Sequence, residues 1–136
     1  MKIIKNIAHI VIRSTGTQPA KRMEQLKQEW GELSPCHYVI KANGDVKKLS
    51  DEKKNAEDNC IHIAYIGGID KNGKPKDTRT RAQEDSMFDL IVKLSDTYSA
   101  ARTIGYDEHT GKTEDSPGFD VKTWLANYEP DFQSAA

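Results

Sequence analysis

Residues Cys60–Asp70, CIHIAYIGGID, form a short and nearly continuous apolar run in the middle of the chain. Between Ile61 and Ile66 the only strongly polar side chain is His62, and the run then ends at Gly67-Gly68. A short apolar run closed by glycines is typical of a central strand that is covered on both faces. We therefore predict that other strands pair beside this stretch, that helices pack over it, and that a site lies where it ends.

The composition limits the class of protein. With 136 residues, 36% of them hydrophobic and 30% charged, the chain has room for one soluble domain with a real core. Its formal net charge of −1 gives no electrostatic reason to expect nucleic acid or a membrane surface as a partner. The apolar residues near the N-terminus are interrupted by polar ones, which predicts no signal peptide and a cytoplasmic location or export without a standard signal.

Local patterns around the central run predict the remaining strands and helices. Asn43-Gly44 between two β-like runs, 36–42 and 45–49, is typical of a hairpin turn. Thr80–Gln83 is a capping box that opens a helix running to about Thr97. Further strands are expected over 6–12 and 101–106, helices over 19–30 and 119–128, and a polar loop over 107–118. Strands that alternate with helices predict an α/β fold, a single domain with a mixed central sheet flanked by helices. We place this domain at residues 1–128 and a C-terminal tail at 129–136.

The two cysteines, Cys36 and Cys60, both precede strand-like runs. Their spacing matches no metal-binding or redox motif. Buried thiols are therefore expected rather than a disulfide.

Four stretches, taken in chain order, resemble the motifs of one family. Ile10–Thr17 (IVIRSTGT) resembles (I/V)VIHC(S/T)AT, and His37–Asp45 (HYVIKANGD) resembles YHFVIxxDG. Ile61–Gly68 (IHIAYIGG) resembles SIGICxVGG, and Asp115–Val121 (DSPGFDV) resembles CPxFD. These are motifs of the zinc-dependent N-acetylmuramoyl-L-alanine amidases of the phage-lysozyme and peptidoglycan-recognition-protein type. The chain resembles this family over nearly its whole length, which implies the family's α/β fold.

The family's zinc-ligand positions carry residues of different chemistry here. The resemblance places the His that ends the first strand at Arg13, the His after the last strand at Tyr106, and the Cys or Asp before the closing Pro at Ser116. A catalytic zinc takes about three protein ligands and a water. None of these residues is a good zinc ligand, and Arg13 is a permanent cation that repels the ion. We therefore expect no metal cofactor.

The chain keeps the motifs that resemble the family's strands but lacks the family's zinc ligands. This combination predicts a pseudoenzyme, an amidase-like domain without amidase activity. Its first expected role is binding, with peptidoglycan or a muramyl peptide as partner. The second is a structural role as an assembly component, for instance of a phage particle, with other protein subunits as partners. The third is an active N-acetylmuramoyl-L-alanine amidase whose metal site has moved. The resemblance implies that the protein is either cytoplasmic or associated with a phage particle.

Several polar residues near the inherited zinc positions are candidates for lining a ligand cleft. They are Cys36, His62, Asp107, Glu108, His109 and Glu114. Asp107, Glu108 and His109, together with His62, carry ligand types that suit a rebuilt divalent-metal site. A simpler alternative is that an ion pair between Arg13 and one of the carboxylates replaces the lost cation.

The remaining hydroxyl and imidazole groups near the inherited site are candidates for catalytic or structural residues. Ser14, Thr15 and Ser116 lie near the inherited site, but no nucleophile elbow accompanies them, so we assign no metal-free hydrolase. His37 matches a hairpin position inside the family's fold, which predicts a hydrogen-bonded structural role.

Overall fold

The computed structural model describes residues 7–31, 34–52, 59–111 and 115–129, which form five strands and four helices. In chain order these are β1 (His9–Ser14), α1 (Met23–Trp30), β2 (Tyr38–Ile40), β3 (Val46–Lys48), β4 (Cys60–Tyr65), α2 (Arg81–Thr97), β5 (Arg102–Gly105), α3 (Tyr106–Thr110) and α4 (Val121–Asn127). Among the described residues no helix is both long enough and apolar enough to cross a membrane.

The strands form one mixed sheet in the order β3-β2-β4-β1-β5, with β4 at its centre. β4 pairs in parallel with β1 and β2, whereas the hairpin strand β3 is antiparallel to β2. Every residue of β4 is buried, as expected for a strand covered on both faces. The predicted α/β fold, with a mixed central sheet flanked by helices, is therefore confirmed.

Each face of the sheet has its own apolar cluster because side chains alternate along the strands. Ile10, Ile12 and Ile63 face α2 and α4, where they pack with Met87 of α2 and Val121 of α4. The opposite face is smaller. It packs Val39, Ala64 and Ile66 against Leu26 of α1 and Cys36. Cys36 and Cys60 are both buried and neither is in a disulfide, as predicted.

The capping box at Thr80 fixes the start of α2 against the ends of two strands. The Thr80 hydroxyl accepts a hydrogen bond from the Gln83 amide, and the Gln83 side-chain oxygen accepts one from the Thr80 amide. The side-chain nitrogen of Gln83 also donates to the carbonyls of Ile40 and Ile66, at 3.1 Å each. Gln83 is fully buried, so this one side chain joins α2 to β2 and to the end of β4.

Gln83→Leu is expected to lower the free energy of unfolding by about 2 kcal/mol, because it leaves buried polar groups without their partner. Urea denaturation of both proteins measures the difference. Gln28→Leu, at an exposed position of α1, is the matched control and should change stability by less than about 0.5 kcal/mol. Equal losses in the two variants would contradict the bridging role of Gln83.

Three helices differ from the predictions. The first begins at Met23 rather than at residue 19, because Arg22 is its N-cap and donates its amide to the Gln25 side chain. The loop expected over 107–118 contains α3, which has no buried residue and so shows no apolar periodicity in the sequence. Its first turn is held instead by Glu108, whose carboxylate accepts a hydrogen bond from the Gly105 amide at 3.1 Å. The closing helix begins at Val121, because the Asp120 side chain caps the amide of Thr123. The division into residues 1–128 and a tail stays a prediction, since 130–136 lie outside the described residues.

Candidate functional site

The candidate site lies on one face of the sheet, where β1 ends and α3 begins. The register of the parallel pair places Val11 beside His62 and Arg13 beside Ala64. Alternate residues of a strand share a face, so Arg13 lies on the same face as Cys60 and His62. α3 follows β5 directly and contacts β1 as well, which brings its side chains over this face.

Arg13 and Tyr106 are in direct contact. The guanidinium carbon of Arg13 lies 4.1 Å from the centroid of the Tyr106 ring, a cation–π arrangement. Among the described residues, no ion pair joins Arg13 to Asp107 or Glu108. The buried Nε of Arg13 has no hydrogen-bond partner among these residues either. Among the described residues, Arg13 therefore stacks on an aromatic ring and forms no ion pair with a carboxylate of α3. The third expected partner, Glu114, lies outside the described residues, so an ion pair with it stays a prediction.

Ser116 lies against the end of the same strand. Its hydroxyl oxygen accepts a hydrogen bond from the Ser14 amide at 2.7 Å, and the Ser14 hydroxyl lies 3.4 Å from it. The next residue, Pro117, accepts a bond from the buried Tyr65 hydroxyl through its carbonyl at 2.5 Å. The structure therefore brings Arg13, Tyr106 and Ser116 together around the carboxyl end of β1.

Cys36 lies on the same face of the sheet, near Arg13. Burial raises the pKa of the Cys36 thiol to about 11, although the positive charge of Arg13 acts in the opposite direction. The thiol is therefore protonated at neutral pH, which makes it a poor nucleophile.

The carboxylates of α3 line a different surface. Asp107 and Glu108, together with Phe119, Asp120 and Lys122, border a groove of about 400 Å³. Neither carboxylate joins an imidazole in a metal-binding group among the described residues. Glu114, the remaining carboxylate predicted to line the cleft, lies outside the described residues.

One group of side chains in the described residues could hold a metal ion: Cys60, His62 and His109. Their ligand atoms all lie within 4.8 Å of one another, and the Cys60 sulfur is 3.9 Å from Nδ1 of His109. The expectation of no metal cofactor is therefore wrong, because it considered only the inherited zinc positions, and the described residues include another group that could hold a metal ion. Suitable ligands are absent from the inherited positions, but a thiol and two imidazoles meet further back along the strands. His62 lies two residues and Cys60 four residues before the level of Arg13, or about 7 and 13 Å.

Sequence reasoning included His62 and His109 among the candidate ligands but missed Cys60. The available signal was Cys60-Ile-His62, because residues two apart on a strand share a face. His109 lies three residues after Tyr106, so both point to the same side of α3, and their rings are 6.4 Å apart. The predicted structural role of His37 is confirmed, because its Nδ1 accepts a hydrogen bond from the His62 amide at 3.1 Å.

Comparison with known proteins identifies two phage relatives by sequence. The chain is 31% identical over 132 residues to the endolysin of Escherichia phage T7, an alignment that covers 88% of this chain and 86% of the relative. It is 29% identical to the endolysin of Enterobacteria phage T3 over the same share of both chains. No protein-family model matches the chain.

Solved structures with the same fold include phage and insect proteins. The endolysin of the Thermus scotoductus bacteriophage Ph2119 superposes with a TM-score of 0.67 at 18% identity, over 93% of this chain and 90% of that one. Bumblebee PGRP-SA superposes with a TM-score of 0.60 at 12% identity, over 94% and 85% of the two chains. At these identities the structural likeness concerns the fold alone.

Proposed function

Because this chain belongs to the family of N-acetylmuramoyl-L-alanine amidases and peptidoglycan-recognition proteins, we propose that it binds peptidoglycan fragments where β1 ends, without hydrolysing them there. Two sequence relatives are endolysins, and PGRP-SA has the same fold. These likenesses support a cell-wall ligand. The side chains around Arg13 argue against zinc-dependent hydrolysis at this place.

The observation that carries the proposal is the position of the Arg13 guanidinium. It is a permanent cation that lies against Tyr106, at the place where the family's first zinc ligand is expected. A divalent cation is repelled there, whereas a carboxylate is attracted. The stem peptide of a muramyl peptide carries carboxylates, and a guanidinium binds them with a matching pair of donors.

The test is a calorimetric titration with a muramyl tripeptide that has free carboxylates, and with its fully amidated counterpart. Arg13→Ala should weaken binding of the carboxylate form about 10- to 100-fold, because one charge-assisted bidentate contact contributes about 1.5–3 kcal/mol. Arg13→Lys should recover only part of the affinity, since an ammonium lacks the planar fork.

Arg102→Ala is the matched control, because Arg102 is an exposed arginine on the neighbouring strand β5. It removes the same charge from the protein and should leave the affinity within about twofold of the wild type. Equal affinities of wild type and Arg13→Ala, or equal affinities for the two peptides, would contradict the proposal. Melting temperatures of all variants show whether the fold is intact.

A second candidate function is amide hydrolysis through a displaced metal ion. The group Cys60, His62 and His109 favours it, since three protein ligands leave one position of a tetrahedral zinc for a water. Binding ranks first because Cys60 and His62 are only 1% and 8% exposed, which leaves a polymer substrate little access to an ion there.

An assembly role has less support from the described surface. An apolar interface needs a contiguous patch of several hundred Å². The exposed large hydrophobic side chains of the described residues are Val46 on β3 and Val92 on α2, which are too few for such a patch.

A further inference from the structure

We propose that Cys60, His62 and His109 form a zinc site that anchors α3 to the central strand. Cys60 and His62 come from β4 and His109 comes from α3, so one ion would join these two elements. The proposal is independent of the binding role of Arg13, since neither Arg13 nor Tyr106 is a ligand.

The distances between the three side chains are close to those that zinc requires. A tetrahedral zinc with ordinary bond lengths places a thiolate sulfur and an imidazole nitrogen about 3.6 Å apart. The Cys60 sulfur and Nδ1 of His109 are 3.9 Å apart, and all three ligand atoms lie within 4.8 Å of one another. The His62 and His109 rings meet edge to face at 75°, with centroids 5.6 Å apart, so they approach from different directions as ligands of one ion do.

The set of donors selects the kind of metal. One thiolate with two imidazoles suits zinc and disfavours magnesium, calcium and manganese, which prefer carboxylate, carbonyl and water oxygens. The same Cys60–His109 contact also resembles the thiol–imidazole pair of a cysteine hydrolase. Cys60 is only 1% exposed, however, so its sulfur is not open to a substrate.

A bound metal would stabilise α3, which has no buried apolar side chain to hold it against the sheet. This helix has five residues and none of them is buried, and so short a helix has little stability of its own. An ion held by His109 would fix α3 one turn after Tyr106, the residue whose ring contacts Arg13. The zinc site therefore has a structural role, and it lies beside the proposed binding site without being part of it.

The experiment uses the full chain without an affinity tag, stripped of metal with a chelator and then titrated with zinc. We expect about one zinc per chain by mass spectrometry and a higher melting temperature of the zinc-loaded protein. Cobalt(II) serves as a spectroscopic probe in the wild type, because a sulfur ligand produces a thiolate-to-cobalt charge-transfer band in the near ultraviolet.

Cys60→Ala and Cys36→Ala form a matched pair, since both thiols are buried, at 1% and 2% exposure. Cys60→Ala should lose the cobalt band and bind zinc at least ~100-fold more weakly, and His109→Ala should also weaken zinc binding. Cys36→Ala should keep the band and the zinc-dependent stabilisation. The proposal is overturned if the wild type binds no zinc, if its cobalt complex lacks the sulfur band, or if Cys60→Ala binds zinc like Cys36→Ala.

Discussion

Arg79→Ala is expected to lower the free energy of unfolding by about 3 kcal/mol, and the melting temperature by roughly 10 °C, in thermal and urea denaturation. The side chain of Arg79 is only 7% exposed, although it carries a permanent charge. A cation in such a place is stable only if the surrounding groups compensate for its lost hydration. Removing it deletes these contacts and leaves the partner groups without their cation.

The groups around Arg79 belong to separate parts of the chain. Its Nε and Nη2 donate to the two oxygens of Asp77 at 2.9 and 3.0 Å, and Glu84 of α2 is 3.8 Å away. Its guanidinium carbon also lies 3.3 Å from the ring centroid of Phe119 and 5.0 Å from that of Trp124. One arginine therefore holds the C-terminal segment against the start of α2.

Two further variants separate charge from shape. Arg79→Lys should lose most of the same stability, because an ammonium keeps the charge but neither donates as a planar fork nor stacks as well. Lys93→Ala is the control. Its side chain is 72% exposed, and its ion pair with Asp89 within α2 should contribute less than about 0.5 kcal/mol. If Arg79→Ala were within 1 kcal/mol of the wild type, Arg79 would not connect these elements.

Gly68→Ala is expected to cost about 3 kcal/mol as well, through backbone strain and a clash. Gly68 has a φ of +108°, which side chains rarely allow. A Cβ at this position would lie 2.4 Å from the Ser14 hydroxyl oxygen and 2.7 Å from the Ser14 Cβ. Because the Ser14 amide donates a hydrogen bond to the Ser116 hydroxyl, the clash would also displace the segment that carries Ser116.

Gly73→Ala provides a matched control for this strain. Gly73 also has a positive φ, +80°, but no atom lies within 4 Å of the Cβ that alanine would add. Gly73→Ala should therefore lower the free energy of unfolding only through backbone strain, by about 1 kcal/mol. Urea denaturation of both variants measures the difference, and equal losses would show that the contact with Ser14 has no energetic effect.

The fold could be predicted largely from local patterns. The apolar run at Cys60–Asp70, the Asn43-Gly44 turn and the capping box at Thr80 each describe a short segment, and their physical causes are local. α3 could not be predicted in this way. Its first turn depends on the bond between Glu108 and the Gly105 amide, and none of its residues contributes an apolar stripe.

The candidate site was harder to predict because its contacts join distant parts of the chain. The sequence indicated that Arg13 needs a compensating partner, and a carboxylate was the simplest choice. Among the described residues the partner is the aromatic ring of Tyr106, and this contact depends on how α3 packs over β1. Likewise, Cys60 and His62 become a potential metal group only when α3 places His109 beside them.

The most direct test of the central claim is incubation of purified peptidoglycan sacculi with this protein, both metal-free and loaded with zinc. The amount of protein retained on the sacculi and the stem peptides released into solution are measured together. We predict that the protein is retained, that Arg13→Ala reduces its retention, and that neither metal state releases stem peptides. Release of stem peptides by the zinc-loaded protein would contradict a binding role and would establish hydrolysis through a displaced metal.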